Sequence, residues 1–156
     1  MSRLSKTWKT ITLSAILAVA LAALVSATAG SQFTSSPLVR STSSGRIKFQ
    51  THPHELTDVQ VQSVVAKPGG YSGWHSHPGF GVVAVLKGEI TLYDGDDPTC
   101  TPTRVSAGQV FVEEPGHIHF ARNEGSVDYE AYATFMGLPI GVASRSDLPS
   151  PGNCPF

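Results

Sequence analysis

The chain has 156 residues, 40% of them hydrophobic, with 11 Lys and Arg against 12 Asp and Glu for a formal charge of −1. Three of the basic residues lie in the first nine positions, so the chain beyond its leader carries about −4, which argues against nucleic acid as a partner. The remaining length, about 127 residues, is that of one domain with a single core.

Residues 1–29 read as a signal peptide. Arg3, Lys6 and Lys9 form a basic start, Ile11 to Val25 is an apolar run broken only by Thr12 and Ser14, and Ala27-Thr28-Ala29 supplies small residues for cleavage after Ala29. The run is shorter than the roughly 18 residues that an uncleaved spanning helix needs, so no stable membrane anchor is expected. The chain is therefore expected outside the cytoplasm, secreted or periplasmic. Residues 30–45, rich in Ser, Thr and Gly, cannot bury enough to fold alone and read as a linker.

From residue 46 to 137 short apolar and β-branched runs alternate with Gly, Pro and Asp: IKF, VQVQSVV, GVVAVL, EITLY, QVFV, HIHF and YEAYATF. This spacing predicts an all-β domain, and the absence of helical crossovers predicts a mainly antiparallel sheet. Turns are expected at Lys67-Pro68-Gly69-Gly70, Lys87-Gly88, Asp94 to Pro98, Ser106-Ala107-Gly108 and Pro115-Gly116, where Gly tolerates positive φ and Pro fixes it. Residues 138–156 read as an irregular, proline-rich tail. Cys100 and Cys154 are the two cysteines, both in the exported part, and are expected to pair and staple this tail to the Cys100 loop.

His75 and His77, in GYSGWHSHPG, share one face of an extended segment because side chains alternate along it. His119, in EPGHIHFARN, must reach them from another strand. Three convergent imidazoles make a site for a divalent transition metal, and Zn, Cu, Mn, Ni and Fe are all compatible with it. His117 is a further candidate, as a ligand or as support for one, although it directly follows the Pro115-Gly116 turn. Trp74 faces away from the pair and reads as core. His52, His54 and Glu55 read as a polar surface cluster. Val83, Val85, Phe111 and Tyr132 are candidates for a pocket wall.

The spacing of these residues resembles the cupin family. Gly69, five residues, His75-x-His77 and then Gly88 is similar to the first cupin motif, and Gly108, Gly116, His119 and Asn123 are similar to the second. The resemblance covers about residues 47 to 135. It implies an antiparallel jelly-roll barrel with a metal inside its wider mouth, a small-molecule substrate or ligand, and a homodimer formed by edge strands. It also implies a glutamate ligand at the position held here by Gly81, and a proline at that of Glu114. Asn123 reads as a turn residue rather than a catalytic one. Glu89, Glu113 and Glu114 read as exposed or rim charges, so the expected ligand set is three neutral imidazoles.

Such a set leaves the cation more positive and with open positions, which suits Lewis-acid chemistry or an anionic substrate. Three-histidine cupins occur among dioxygenases, whereas an oxalate-oxidase or germin-like activity is less expected without the glutamate. Two functions follow from the resemblance: a metal-dependent dioxygenase of a small organic molecule, or a non-enzymatic module that binds a small ligand or a metal.

Overall fold

The computed structural model describes residues 36–42 and 56–156. The expected leader, most of the linker and the His52, His54 and Glu55 cluster lie outside the described residues. Among the described residues nine strands run in chain order: β1 (Asp58–Ala66), β2 (His75–Ser76), β3 (Phe80–Lys87), β4 (Glu89–Asp94), β5 (Thr103–Ser106), β6 (Val110–Glu113), β7 (His119–Arg122), β8 (Tyr129–Leu138) and β9 (Ser146–Asp147). Among the described residues there is no helix. The tail that reads as irregular contributes β9, which pairs with β2.

The strands form two antiparallel sheets, ordered β1-β8-β3-β6 and β5-β4-β7-β2-β9. They do not hydrogen-bond into one closed barrel, and the arrangement is that of an open jelly roll. Alternation explains how they face each other: Val83 and Val85 on β3, Phe111 on β6 and Ala131, Ala133 and Phe135 on β8 turn inward to meet Ile90 and Val105 of the second sheet. Tyr132, on the opposite parity of β8, points outward and is 42% exposed. Strand β1 inverts the ordinary pattern, exposing Val59, Val61 and Val65 while Gln60 and Gln62 turn inward and share a hydrogen bond.

A second apolar cluster covers the outer face of the five-stranded sheet. Trp74, Tyr93 and Phe120 pack there with Cys154, and the Phe156 ring adds to it, 5.0 Å from Tyr93 and from Phe120. The Cys100–Cys154 disulfide closes this arrangement, with a Cα separation of 5.2 Å. Asn153 donates from Nδ2 to the carbonyls of Asp94 and Asp97. The tail is thus held by a covalent bond, hydrogen bonds and aromatic burial together.

The β3–β4 hairpin turns at Gly88, whose φ is 70° and whose added Cβ would lie 2.5 Å from the Asp128 carbonyl. No other residue fits that approach. Asn123 closes the β7 end: its Nδ2 donates to the carbonyls of Ala66 and Val127, and its Oδ1 accepts from the Gly125 N–H. It is fully buried, which fits its reading as a structural residue.

Candidate metal centre

Strand pairing builds the site. His75 on β2 stands directly opposite His119 on β7, and His77 follows two residues after His75 on the same face. Trp74 and Phe120, of opposite parity, go to the outer cluster instead. The three imidazoles are each at most 6% exposed, and one ring nitrogen from each lies within 4.8 Å of the others. The ring centroids stand 4.3 Å apart for His75 and His119, 4.9 Å for His75 and His77, and 5.2 Å for His77 and His119.

The backbone sets the tautomers. His75 donates from Nδ1 to the Gly73 carbonyl at 2.9 Å, His77 to Ser144 at 2.6 Å, and His119 to His117 at 3.1 Å. A carbonyl only accepts, so Nδ1 carries a proton in all three rings, and in the neutral form of each ring Nε2 is the atom left with a free lone pair. Burial above all, then the neighbouring His119, lowers the pKa of His75 from 6.5 to about 4. Burial lowers His77 as well, against the opposing pull of Glu113. Neutral rings with bare Nε2 atoms are the form that ligates a metal.

Glu113 corrects the sequence reading. It is not a solvated rim charge: its side chain is 12% exposed, with Oε1 3.2 Å from His119 Nε2 and Oε2 3.4 Å from His77 Nε2. Neither contact has hydrogen-bond geometry, and His119 Nε2 and Glu113 Oε2 remain buried without a hydrogen-bond partner. Glu114, one residue on, is exposed as expected. The missed signal was parity: Val112 and Glu114 face away from the interior, so Glu113 shares the inward face with Phe111.

His117 is placed differently from the triad. Its Nε2 sits 3.0 Å from Asp94 Oδ1, and with Asp94 and Asp96 it forms a separate, more exposed group. It meets the site through its backbone carbonyl, which orients His119. Glu89 accepts from the Ser106 hydroxyl and lies away from the histidines on the β4–β5 ladder.

A cavity of about 210 Å³ opens beside the triad. Val83 and Phe111 line it as expected; Val85 is sealed in the core and Tyr132 faces outward, while Tyr129, Ala133 and Phe135 supply the wall on β8. Phe135 stacks on His77 with centroids 4.3 Å apart and planes 27° from parallel. Gln62, Ser72 and Arg145 add polarity to the lining. Arg145 is held by the Asp147 carboxylate and by the Ser72 carbonyl.

The residues fit a divalent transition metal. Three bare imidazole nitrogens and a carboxylate converge, and two of these buried polar atoms have no protein partner to satisfy them. His75, His77 and His119 are the residues that would hold the ion.

Residues 62–135 match the family model for a cupin domain. No curated protein matches the sequence. Among solved structures, the chain is similar to an oxalate oxidase at 26% identity and a TM-score of 0.50, over 58% of this chain and 46% of that one. It is similar in fold to the DMSP lyase of Ruegeria pomeroyi, at 21% identity and a TM-score of 0.51, over 60% of this chain and 45% of that one. A double-stranded β-helix protein from Klebsiella pneumoniae gives 27% identity and a TM-score of 0.49, over 59% of this chain and 76% of that one. The matches thus span less than half the length of the oxidase and the lyase.

Proposed function

We propose that this chain, which carries a cupin domain at residues 62–135, is an exported metal-dependent dioxygenase of a small organic molecule. The observation that carries this reading is the set of three imidazoles with Nδ1 fixed on carbonyls and Nε2 free beside a cavity. When bound, a divalent metal supplies Lewis acidity and a redox centre at the triad. The Gly73, Ser144 and His117 carbonyls hold the rings in their ligating form, and Phe135 fixes the plane of His77. The apolar wall of Val83, Phe111 and Ala133 selects a small, largely apolar body and excludes water.

Arg145, the one Lys or Arg in the described lining, favours a substrate with an anionic group. The likeness to an oxalate oxidase supports oxidative chemistry on such a molecule. The Cys100–Cys154 disulfide, with the basic and apolar start of the sequence, supports export. The outward valines of β1, an edge strand among the described residues, support a homodimer.

The test is metal analysis by mass spectrometry of the untagged chain without residues 1–29, with His75→Ala and His119→Ala as controls, followed by oxygen uptake with phenols, thiols and small carboxylates. The proposal expects bound metal in wild type, loss in both variants, and metal-dependent oxygen uptake with one of these classes. Wild type that holds no transition metal after reconstitution would refute it. Metal binding without oxygen uptake across the three classes would favour a non-enzymatic binding module.

A further inference from the structure

Gly81 stands opposite Glu113 in the β3–β6 ladder. Residues directly opposite each other put their side chains on the same face, about 5 Å apart at Cβ. A Cβ added at position 81 would lie 2.9 Å from Glu113 Oε2, 3.1 Å from Glu113 Cβ and 3.0 Å from Phe135 Cε1. The glycine therefore vacates the space that the Glu113 side chain fills. At this rung one side chain can face the histidines, and in this protein β6 provides it.

The contacts have the dimensions of a coordination sphere. Two ligand atoms bonded to one metal at about 2.1 Å lie roughly 3.0 Å apart at right angles and about 3.4 Å apart at the tetrahedral angle. Glu113 Oε1 is 3.2 Å from His119 Nε2, and Oε2 is 3.4 Å from His77 Nε2. With Nδ1 of each ring donating to a carbonyl, the neutral form of each ring sets its Nε2 lone pair against the carboxylate lone pairs at these contacts. Buried lone pairs that face each other repel unless a cation or a proton lies between them. A proton would make a hydrogen bond, and neither His119 Nε2 nor Glu113 Oε2 has one.

We infer that Glu113 is the fourth protein ligand of the metal centre, its carboxylate delivered from β6 across the ladder into the space that Gly81 leaves open. This rests on the reading of the triad as a metal site. It changes the charge of that site: three imidazoles leave a divalent ion at +2 in a buried cavity, whereas Glu113 brings the assembly to +1.

The experiment loads the full disulfide-bonded protein, without residues 1–29, with Zn²⁺ to measure affinity by chelator competition and with Co²⁺ to record the visible d–d spectrum. The variants are Glu113→Gln, which keeps the shape and removes the charge, and the exchange Gly81→Glu with Glu113→Gly. Glu113→Gln is expected to weaken Zn²⁺ binding at least about 100-fold, more than loss of an outer-shell contact, and to change the Co²⁺ spectrum. The exchange is expected to restore affinity to within about tenfold of wild type if position 81 reaches the same ligand position.

A Glu113→Gln protein with the wild-type Co²⁺ spectrum would overturn the assignment, whatever its affinity, because a carboxylate that only supports the histidines does not alter the coordination sphere directly. An exchange variant that folds, by its circular dichroism, yet binds as weakly as Glu113→Gln would overturn the ladder argument. If wild type itself binds neither ion, the metal reading of the triad fails first, and that result is distinct from either of these.

Discussion

Gly81 and Glu113 face each other across the β3–β6 ladder so closely that a single added carbon at position 81 would reach within 2.9 Å of the Glu113 carboxylate. That pair explains a departure in the sequence that otherwise reads as a loss. The first cupin-like motif has no glutamate at position 81, yet a buried carboxylate meets His77 and His119 from the neighbouring strand. The site therefore has a charged donor beside its imidazoles, and the apparent gap in one motif is matched by a residue at the edge of the other.

Asn123→Ala tests the architectural reading of the second motif. The substitution leaves the Ala66 and Val127 carbonyls and the Gly125 N–H without their side-chain partner in a fully buried place. The expected loss of stability is about 3 kcal/mol by denaturant titration, with metal stoichiometry unchanged. A variant as stable as wild type would show that water or relaxation replaces the amide.

Reduction of the Cys100–Cys154 disulfide, or Cys154→Ser, frees a tail that otherwise covers Tyr93 and Phe120. The bridge spans a sequence separation of 54 residues, and a loop of that size is worth about 4 kcal/mol in the chain-entropy model. Calorimetry should show a Tm lowered by roughly 10 °C or more. Equal Tm values with and without reductant would place the hold on the tail entirely in its packing and hydrogen bonds.

Much of this arrangement is legible in the sequence. His75, His77 and His119 are found by alternation and spacing, and the prediction that Trp74 faces away from them follows from the same parity. The tail pairing follows from there being two cysteines. What the sequence hides is cross-strand register. Glu113 lies beside a turn, next to the exposed Glu114; its parity with Phe111 puts it on the inward face, and the β3–β6 register, which sets it opposite Gly81, decides which groups it meets there. Tyr132 is misassigned for a related reason: YEAYATF has aromatic residues on both parities, and Tyr129 and Phe135, not Tyr132, face the cavity. Strand β1 shows the limit most clearly, since the run VQVQSVV predicts a strand without fixing its buried face, and Val59, Val61 and Val65 lie outward. Strand β9 has two residues, too few for any periodic signal.

The buried imidazoles make the metal-free protein sensitive to acid. Burial, reinforced by His119, lowers His75 to about 4, whereas an unfolded histidine titrates near 6.5. Between these values the unfolded chain binds more protons, so His75 costs stability as pH falls from about 6.5 toward about 4, and that stability is fully present above 6.5. Urea titrations of the metal-free protein across this window should show wild type losing more stability than His75→Gln, which lacks the titrating ring. Identical pH slopes would contradict the burial argument.

Anomalous diffraction from crystals grown with Zn²⁺ shows whether the Nε2 atoms of His75, His77 and His119 share one metal ion. One strong peak is expected about 2.0 to 2.1 Å from all three Nε2 atoms. A peak confined to the Asp94, Asp96 and His117 cluster, or no peak at the triad, would contradict it.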